Sequence, residues 1–183
     1  MARIIGDFAS TQGWEARVTV SLHPGTFPVP WAQCAATADF LAAWLCGAAA
    51  ARGHPVEDLR GTVSYVANEL IENAVKFCHG RDVALQAGIL GEEVALLVEN
   101  HLPAGRVADL ADKLTELTTG DPVELLVKRV EENAARGAGG GSGLGFLTMM
   151  NDYQARLGFS LADGGERGWS VVGTSARLPL GGG

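Results

Sequence analysis

Positive charge is scarce in this chain. Fourteen Lys and Arg stand against 21 Asp and Glu in 183 residues, a formal net charge of −7. General nucleic-acid binders present a basic surface to the phosphate backbone, so that class is set aside. Any anionic ligand has to be held by local geometry and not by the field of the whole molecule. Cysteine is scarce too. Cys34, Cys46 and Cys78 are odd in number, far apart and without a CxxC grouping, which excludes a disulfide framework and a zinc site and suits reduced, mostly buried thiols. No long apolar run is present. "ADFLAAWLCGAAAARG" (38–53) is short for a membrane span and carries Asp39, so it reads as a buried helix. "MARIIGDFAS" lacks the apolar stretch of a secretory signal, and no internal repeat is visible. These absences lead to the expectation of a cytoplasmic protein with no membrane insertion.

What is present is a folding composition: 47% hydrophobic and 19% charged residues, in a chain long enough for one domain with a substantial core. "WEARVTVSL" (14–22) alternates as a half-buried strand does, and "HPGTFPVP" (23–30) ends it. A helix is expected from Trp31 to about Ala51, with Phe40, Leu41, Trp44, Leu45 and Ala48 at helical spacing, and Pro55 stops it. A second begins near Val56–Asp58, its apolar stripe made by Leu59, Val63, Val66, Leu70, Ala74 and Phe77. "VALQAGIL" (83–90) and "VALLVEN" (94–100) flank "GEE" as a hairpin. Amphipathic helices follow at 107–118 and 122–136, then "GAGGGSGLG" (137–145), an apolar helix begun by the last glycines, and a closing hairpin of 154–162 with 169–180. This order predicts an α/β (α+β) two-layer sandwich, a mainly antiparallel mixed sheet backed by helices.

Chemistry concentrates in "NELIENAVKF" (68–77). Glu69, Asn73 and Lys76 fall at i, i+4 and i+7 and share one stripe at the boundary of core and solvent. An amide oxygen there can ligate Mg²⁺, a hard cation. A lysine can meet a phosphate, and a carboxylate can orient or deprotonate a nucleophile. The plainer alternative is a Glu72–Lys76 pair on a solvated face. The glycine stretch is equally open: a flexible linker, or bare N–H groups at a helix start that cradle an anion. It is not a P-loop, because no Gly-Lys-Ser/Thr follows.

Taken together, "NELIENAVKF" and "GSGLGFL" (141–147) resemble the N box and second glycine box of the GHKL ATPase superfamily, which includes gyrase-type ATPases, histidine-kinase catalytic domains and anti-sigma-factor kinases. The resemblance covers about residues 35–180 of a single domain 1–183, with 1–34 as a strand and extension, and implies the GHKL, or Bergerat-type, ATP-binding fold. It implies ATP and Mg²⁺ as cofactors, Glu69 as the catalytic acid that activates a nucleophile, Asn73 as the metal ligand and Lys76 as a phosphate contact. It also implies that Gly141, Ser142, Gly143, Leu144 and Gly145 close a lid over the phosphates.

The superfamily's first glycine box is altered. Aligned on the end of "VALLV", its adenine-reading Asp becomes Asn100 and its two glycines become Leu102 and Ala104. The Asn100 amide oxygen can still accept from an adenine amino group. It lacks the charge, and Leu102 crowds the base.

"GDFAS" (6–10), "TADFLAAWL" (37–45), the N box and this altered box further resemble stand-alone bacterial regulators that include SiaB-type protein kinases. Such proteins are similar to anti-sigma-factor kinases and phosphorylate a Ser or Thr of a small partner protein. The implied partner is SiaC-like or anti-anti-sigma-like, in a partner-switching pathway, and a homodimer is compatible with the group. The alternative function is a non-catalytic binding or sequestering regulator with a degenerate nucleotide site.

Of the histidines, His79 follows the N box and reads as a loop residue; His101 stands beside the expected adenine loop. Lys128, Arg129 and Arg136 precede the glycine loop and read as helix-surface charge, with a reach to phosphates on lid closure as the alternative. Trp14, Trp31, Trp44 and Trp169 read as core or edge packing.

Overall fold

The computed structural model describes residues 2–24, 31–136 and 143–181. Six strands, five α-helices and one 3₁₀ turn make two layers. In chain order they are β1 (Arg3–Gly6), β2 (Glu15–Leu22), α1 (Trp31–Ala50), α2 (Leu59–Phe77), β3 (Val83–Leu90), β4 (Glu93–Pro103), the 3₁₀ turn Ala104–Arg106, α3 (Val107–Thr119), α4 (Pro122–Arg136), α5 (Gly145–Asp152), β5 (Arg156–Asp163) and β6 (Trp169–Pro179). The strands lie in the order β1-β5-β6-β4-β3-β2, and every described pairing is antiparallel.

Alternation along the strands explains the layers. β3 sends Leu85, Ala87 and Ile89 to one face, and β4 sends Val94, Leu96 and Val98 to the same face. The two strands meet at a turn whose Gly91 has a positive φ of 59°. α2 covers this face with Val63, Val66, Leu70 and Ile71, and α1 packs beside it with Leu41, Leu45 and three fully buried alanines, 38, 42 and 49. Small residues there let the two helices approach closely. Phe77 departs from the expected stripe: it is 48% exposed at the C-terminal end of α2.

The opposite face of the sheet has a smaller cluster of its own. Residues 7–14 cross it and bury Ala9 and Trp14 against Ala95 and Leu97, with Phe8 and Leu90 alongside. The crossing is pinned by hydrogen bonds: Asp7 N–H to Leu157 O at 2.9 Å, Ala9 N–H to Ser175 Oγ at 3.0 Å, and Ser175 Oγ–H to Gly158 O at 3.3 Å. Asp7 and Glu93 share Arg156 and Arg177 in a four-charge corner, with Arg156–Asp7 at 3.2 Å and Arg177–Glu93 at 3.5 Å. "GDFAS" is therefore a strap over the back of the sheet.

Several expectations need correction. The short strand β1 at the sheet edge was not expected. "VENHLPAG" is not a loop at first: β4 runs on through Asn100 and Leu102 to Pro103 before the chain turns. Trp14 is buried, but Trp31 and Trp44 are 58% and 48% exposed. Trp44 is tied down by its indole N–H, which donates to Ala16 O at 2.9 Å. The three cysteines are free and buried, and burial pushes the Cys34 and Cys46 thiols up from their ordinary value. Among the described residues no helix is long and apolar enough to cross a membrane.

Candidate functional site

Helical spacing places Glu69, Asn73 and Lys76 along one side of α2, and all three line a cavity of about 540 Å³. Strand alternation supplies its floor: Asn100 and Leu102 from β4, Phe159 from β5, Val172 and Thr174 from β6. α3 forms the opposite wall with Leu110, Leu114 and Leu117, while α4, Gly143 and the start of α5 form the remaining side. Gly143 and Gly145 thus meet the α2 stripe from about 70 residues further along the chain. Leu144 is not part of the lining. Gly141 and Ser142 lie outside the described residues.

The cavity is cationic in an acidic chain. Lys76, Arg106, Lys113, Lys128 and Arg129 line it, against the carboxylates of Glu69, Asp109 and Glu116. Five of the chain's 14 Lys and Arg converge on one cavity while the whole carries −7. Lys128 is held by Glu116 at 3.1 Å, and Arg129 runs beside Gly143, whose φ of +50° is a conformation that favours glycine. Lys128 and Arg129 therefore line the cavity from α4. The side chain of Arg136 lies outside the described set. The contribution of α3 was missed. Its signal is Arg106, Asp109, Lys113 and Leu117 at i, i+3, i+7 and i+11, one face of a helix.

Glu69 is a perturbed group within the lining. Burial first, and the neighbouring Glu72 second, raise its carboxyl above the ordinary carboxylate value. A Cβ on Gly145 would fall on the Glu69 carboxylate, so any other residue where α5 begins would displace that carboxylate. Glu72 does not pair with Lys76. It accepts from Asn68 Nδ2 at 2.8 Å, and Lys76 Nζ lies 5.4 Å from the Phe77 ring. The amide of Asn73 has no hydrogen bond among the described residues.

One turn before Glu69, Tyr65 stacks on Tyr153 with ring centroids 4.7 Å apart, and its hydroxyl is hydrogen-bonded to Thr148 of α5. Burial, then Glu69, raise the Tyr65 phenol, with the Thr148 bond opposing. This contact clamps α5 against α2 and sets Gly145 over Glu69. Tyr65→Phe, which removes only the hydroxyl, is expected to cost about 1 kcal/mol of stability in urea denaturation.

Neither histidine enters the cavity lining. His79 meets Trp169 edge-on at 6.1 Å, and Arg81 lies 3.9 Å over the same indole while forming a bidentate pair with Glu166 at 2.8 and 2.9 Å. His101 is on the outward side of β4, its Nδ1 buried without a partner.

Among the described residues no group of three or more His, Cys, Asp and Glu side chains could hold a metal. The amide oxygen of Asn73, in the cavity lining and without a hydrogen bond among the described residues, fits a different arrangement. Mg²⁺ commonly takes one or two protein oxygens and completes its shell with phosphates and water.

No family model matches the chain, and no curated protein matches it. Among solved structures it is similar to a chain of the SiaB–SiaC complex from Pseudomonas aeruginosa, with a TM-score of 0.62 and 16% identity over 88% of this chain and 89% of that one. The likeness shows a shared fold.

Proposed function

We propose that this chain is a GHKL-type Mg–ATP-binding regulator, a serine/threonine protein kinase acting on a small partner protein in a bacterial partner-switching pathway. The observation that carries the reading is the convergence of five cations and the Glu69–Asn73–Lys76 stripe on one cavity with an apolar floor. Such a cavity suits a nucleotide: a base against the sheet, phosphates toward the cations of the helices. The fold shared with a chain of a two-protein complex supports a protein partner, and three buried thiols with no disulfide suit the cytoplasm.

In this reading Lys76, Arg129 and the N–H groups at the start of α5 hold the phosphates. Asn73 contributes an amide oxygen to Mg²⁺, which supplies charge neutralisation when bound. Glu69 accepts the proton of the incoming hydroxyl. The hydroxyl oxygen bonds to the γ-phosphorus, the bond from that phosphorus to the β–γ bridging oxygen breaks, and ADP leaves. Catalysis is mostly positioning, as phosphoryl transfer allows.

Calorimetric titration of the whole protein tests this. Mg–ATP should bind, and Asn73→Ala should weaken Mg–ATP by about tenfold or more while leaving Mg²⁺-free ATP unchanged. No heat and no thermal shift at millimolar Mg–ATP would sink the reading. A second reading has one observation in its favour: Leu102 stands on the cavity floor, where it narrows the space for a base. A regulator that binds its partner without transferring phosphate would show partner binding but no labelled phosphoprotein.

A further inference from the structure

Two polar side chains among the described residues enter the cavity from the sheet, Asn100 and Thr174; the other floor residues are Leu102, Phe159 and Val172. Asn100 pairs with Val172 and Thr174 with Val98, so the two polar groups are diagonal neighbours on one face of adjacent strands. Asn100 is 8% exposed, and what is exposed faces the cavity. Thr174 holds no side-chain hydrogen bond among the described residues. Neither group is a pure acceptor or a pure donor. A carboxamide offers C=O and NH₂ side by side, and a hydroxyl donates or accepts by rotating. The three carboxylates of the cavity rise from α2 and α3, not from the sheet.

We infer that this floor reads a purine without regard to its 6-substituent, so that the site takes guanine as well as adenine nucleotides. The inference rests on the nucleotide reading above and extends it. Aimed at the purine edge, the amide can accept from the 6-amino group of adenine and donate to N1. Turned over, it donates to the 6-carbonyl of guanine and accepts from N1–H. A carboxylate at the same place only accepts, so on either purine edge it meets one donor and one acceptor and is left with one repulsive contact.

Little fixes the amide in one orientation. Its Nδ2 donates to the adjacent His101 carbonyl at 3.4 Å, a length at the outer limit of a hydrogen bond, so turning over loses little. Pyrimidines, with a shorter ring, would leave the diagonal pair unfilled and a buried amide unmatched.

The test is equilibrium titration of the whole protein with Mg–ATP, Mg–GTP, Mg–CTP and magnesium tripolyphosphate. Dissociation constants for ATP and GTP should agree within about threefold, with CTP and tripolyphosphate about tenfold weaker or more. Asn100→Asp, which only accepts, should weaken both purines by about tenfold or more. Asn100→Leu, which introduces no buried charge, should weaken both purines alike and leave tripolyphosphate unchanged. Tight ATP with GTP tenfold weaker in the unaltered protein would overturn the inference and leave the nucleotide reading standing. Tripolyphosphate binding as tightly as either purine would also overturn it, since the base would then add nothing. Failure of every nucleotide would overturn both.

Discussion

Replacing Gly158 by alanine is expected to lower the melting temperature by roughly 6–12 °C, corresponding to about 3 kcal/mol in a domain of this size. A Cβ at Gly158 would fall on the backbone of Asp7 and Phe8, where the N-terminal strap crosses β5. Backbone cannot swing aside as a side chain does. The strap has to lift, and with it go the Ala9–Ser175 and Asp7–Leu157 hydrogen bonds and the contacts of Asp7 with Arg156 and Arg177. Gly173→Ala is the control. Its nearest neighbour is the edge of the Phe8 ring at 3.3 Å, which can shift by a few tenths of an ångström, so a loss of about 1 kcal/mol or less is expected. Equal losses in the two variants would refute the role of the strap's backbone. A Gly158→Ala protein that keeps its melting temperature but becomes open to proteolysis within residues 7–14 would show that the strap adds little to global stability.

The strap also marks the limit of what could be read without coordinates. Helices were legible where period-3.6 patterns run long, as in α2 and α4, and hairpins where a glycine turn separates alternating runs, as in β3 and β4. β1 was not. It has four residues and buries one side chain, Ile5, too little to carry an alternation. The extension of β4 through "NHLP" was hidden because Pro103 reads as a breaker, yet a strand's last residue does not need its N–H for the ladder.

At the site, the stripe of Glu69, Asn73 and Lys76 followed from helix geometry alone. The partner of Glu72 did not. Both Asn68 and Lys76 lie one turn away, and the choice of Asn68 depends on Lys76 turning toward Phe77 and the cavity. The cations of α3 and α4 were legible as helix-surface charge but not as lining, because their common cavity depends on how two separate helices dock. Asn100 was singled out as a substitution at the end of an expected strand. On the strand as it extends through Pro103 it becomes an inward-facing floor residue of the cavity.

Glu69→Gln is expected to separate stability from activity in opposite directions. The Glu69 carboxyl is raised by burial and by Glu72, and no hydrogen bond among the described residues supports its charged form. A raised carboxyl binds its proton more tightly in the folded protein than in the unfolded one. The folded state is therefore favoured while Glu69 is protonated, and that advantage is lost as pH rises through the raised value. At neutral pH, above the ordinary carboxylate value, the wild type carries that cost, whereas glutamine is neutral throughout. The variant should unfold at a higher temperature than the wild type at pH 7, and the difference should shrink as pH falls through the raised value. Phosphate transfer should move the other way, falling about 10²- to 10⁴-fold, because glutamine cannot accept the hydroxyl proton. In the wild type the same ionisation should appear as an acid limb in the transfer rate, displaced above the ordinary glutamate range, and the limb should vanish from the residual rate of the variant. Thermal melts across pH check the first half and labelled-phosphate transfer the second. A variant less stable than wild type at pH 7 would mean that the start of α5, which Glu69 meets at Gly145, stabilises the carboxylate by more than burial and Glu72 oppose it.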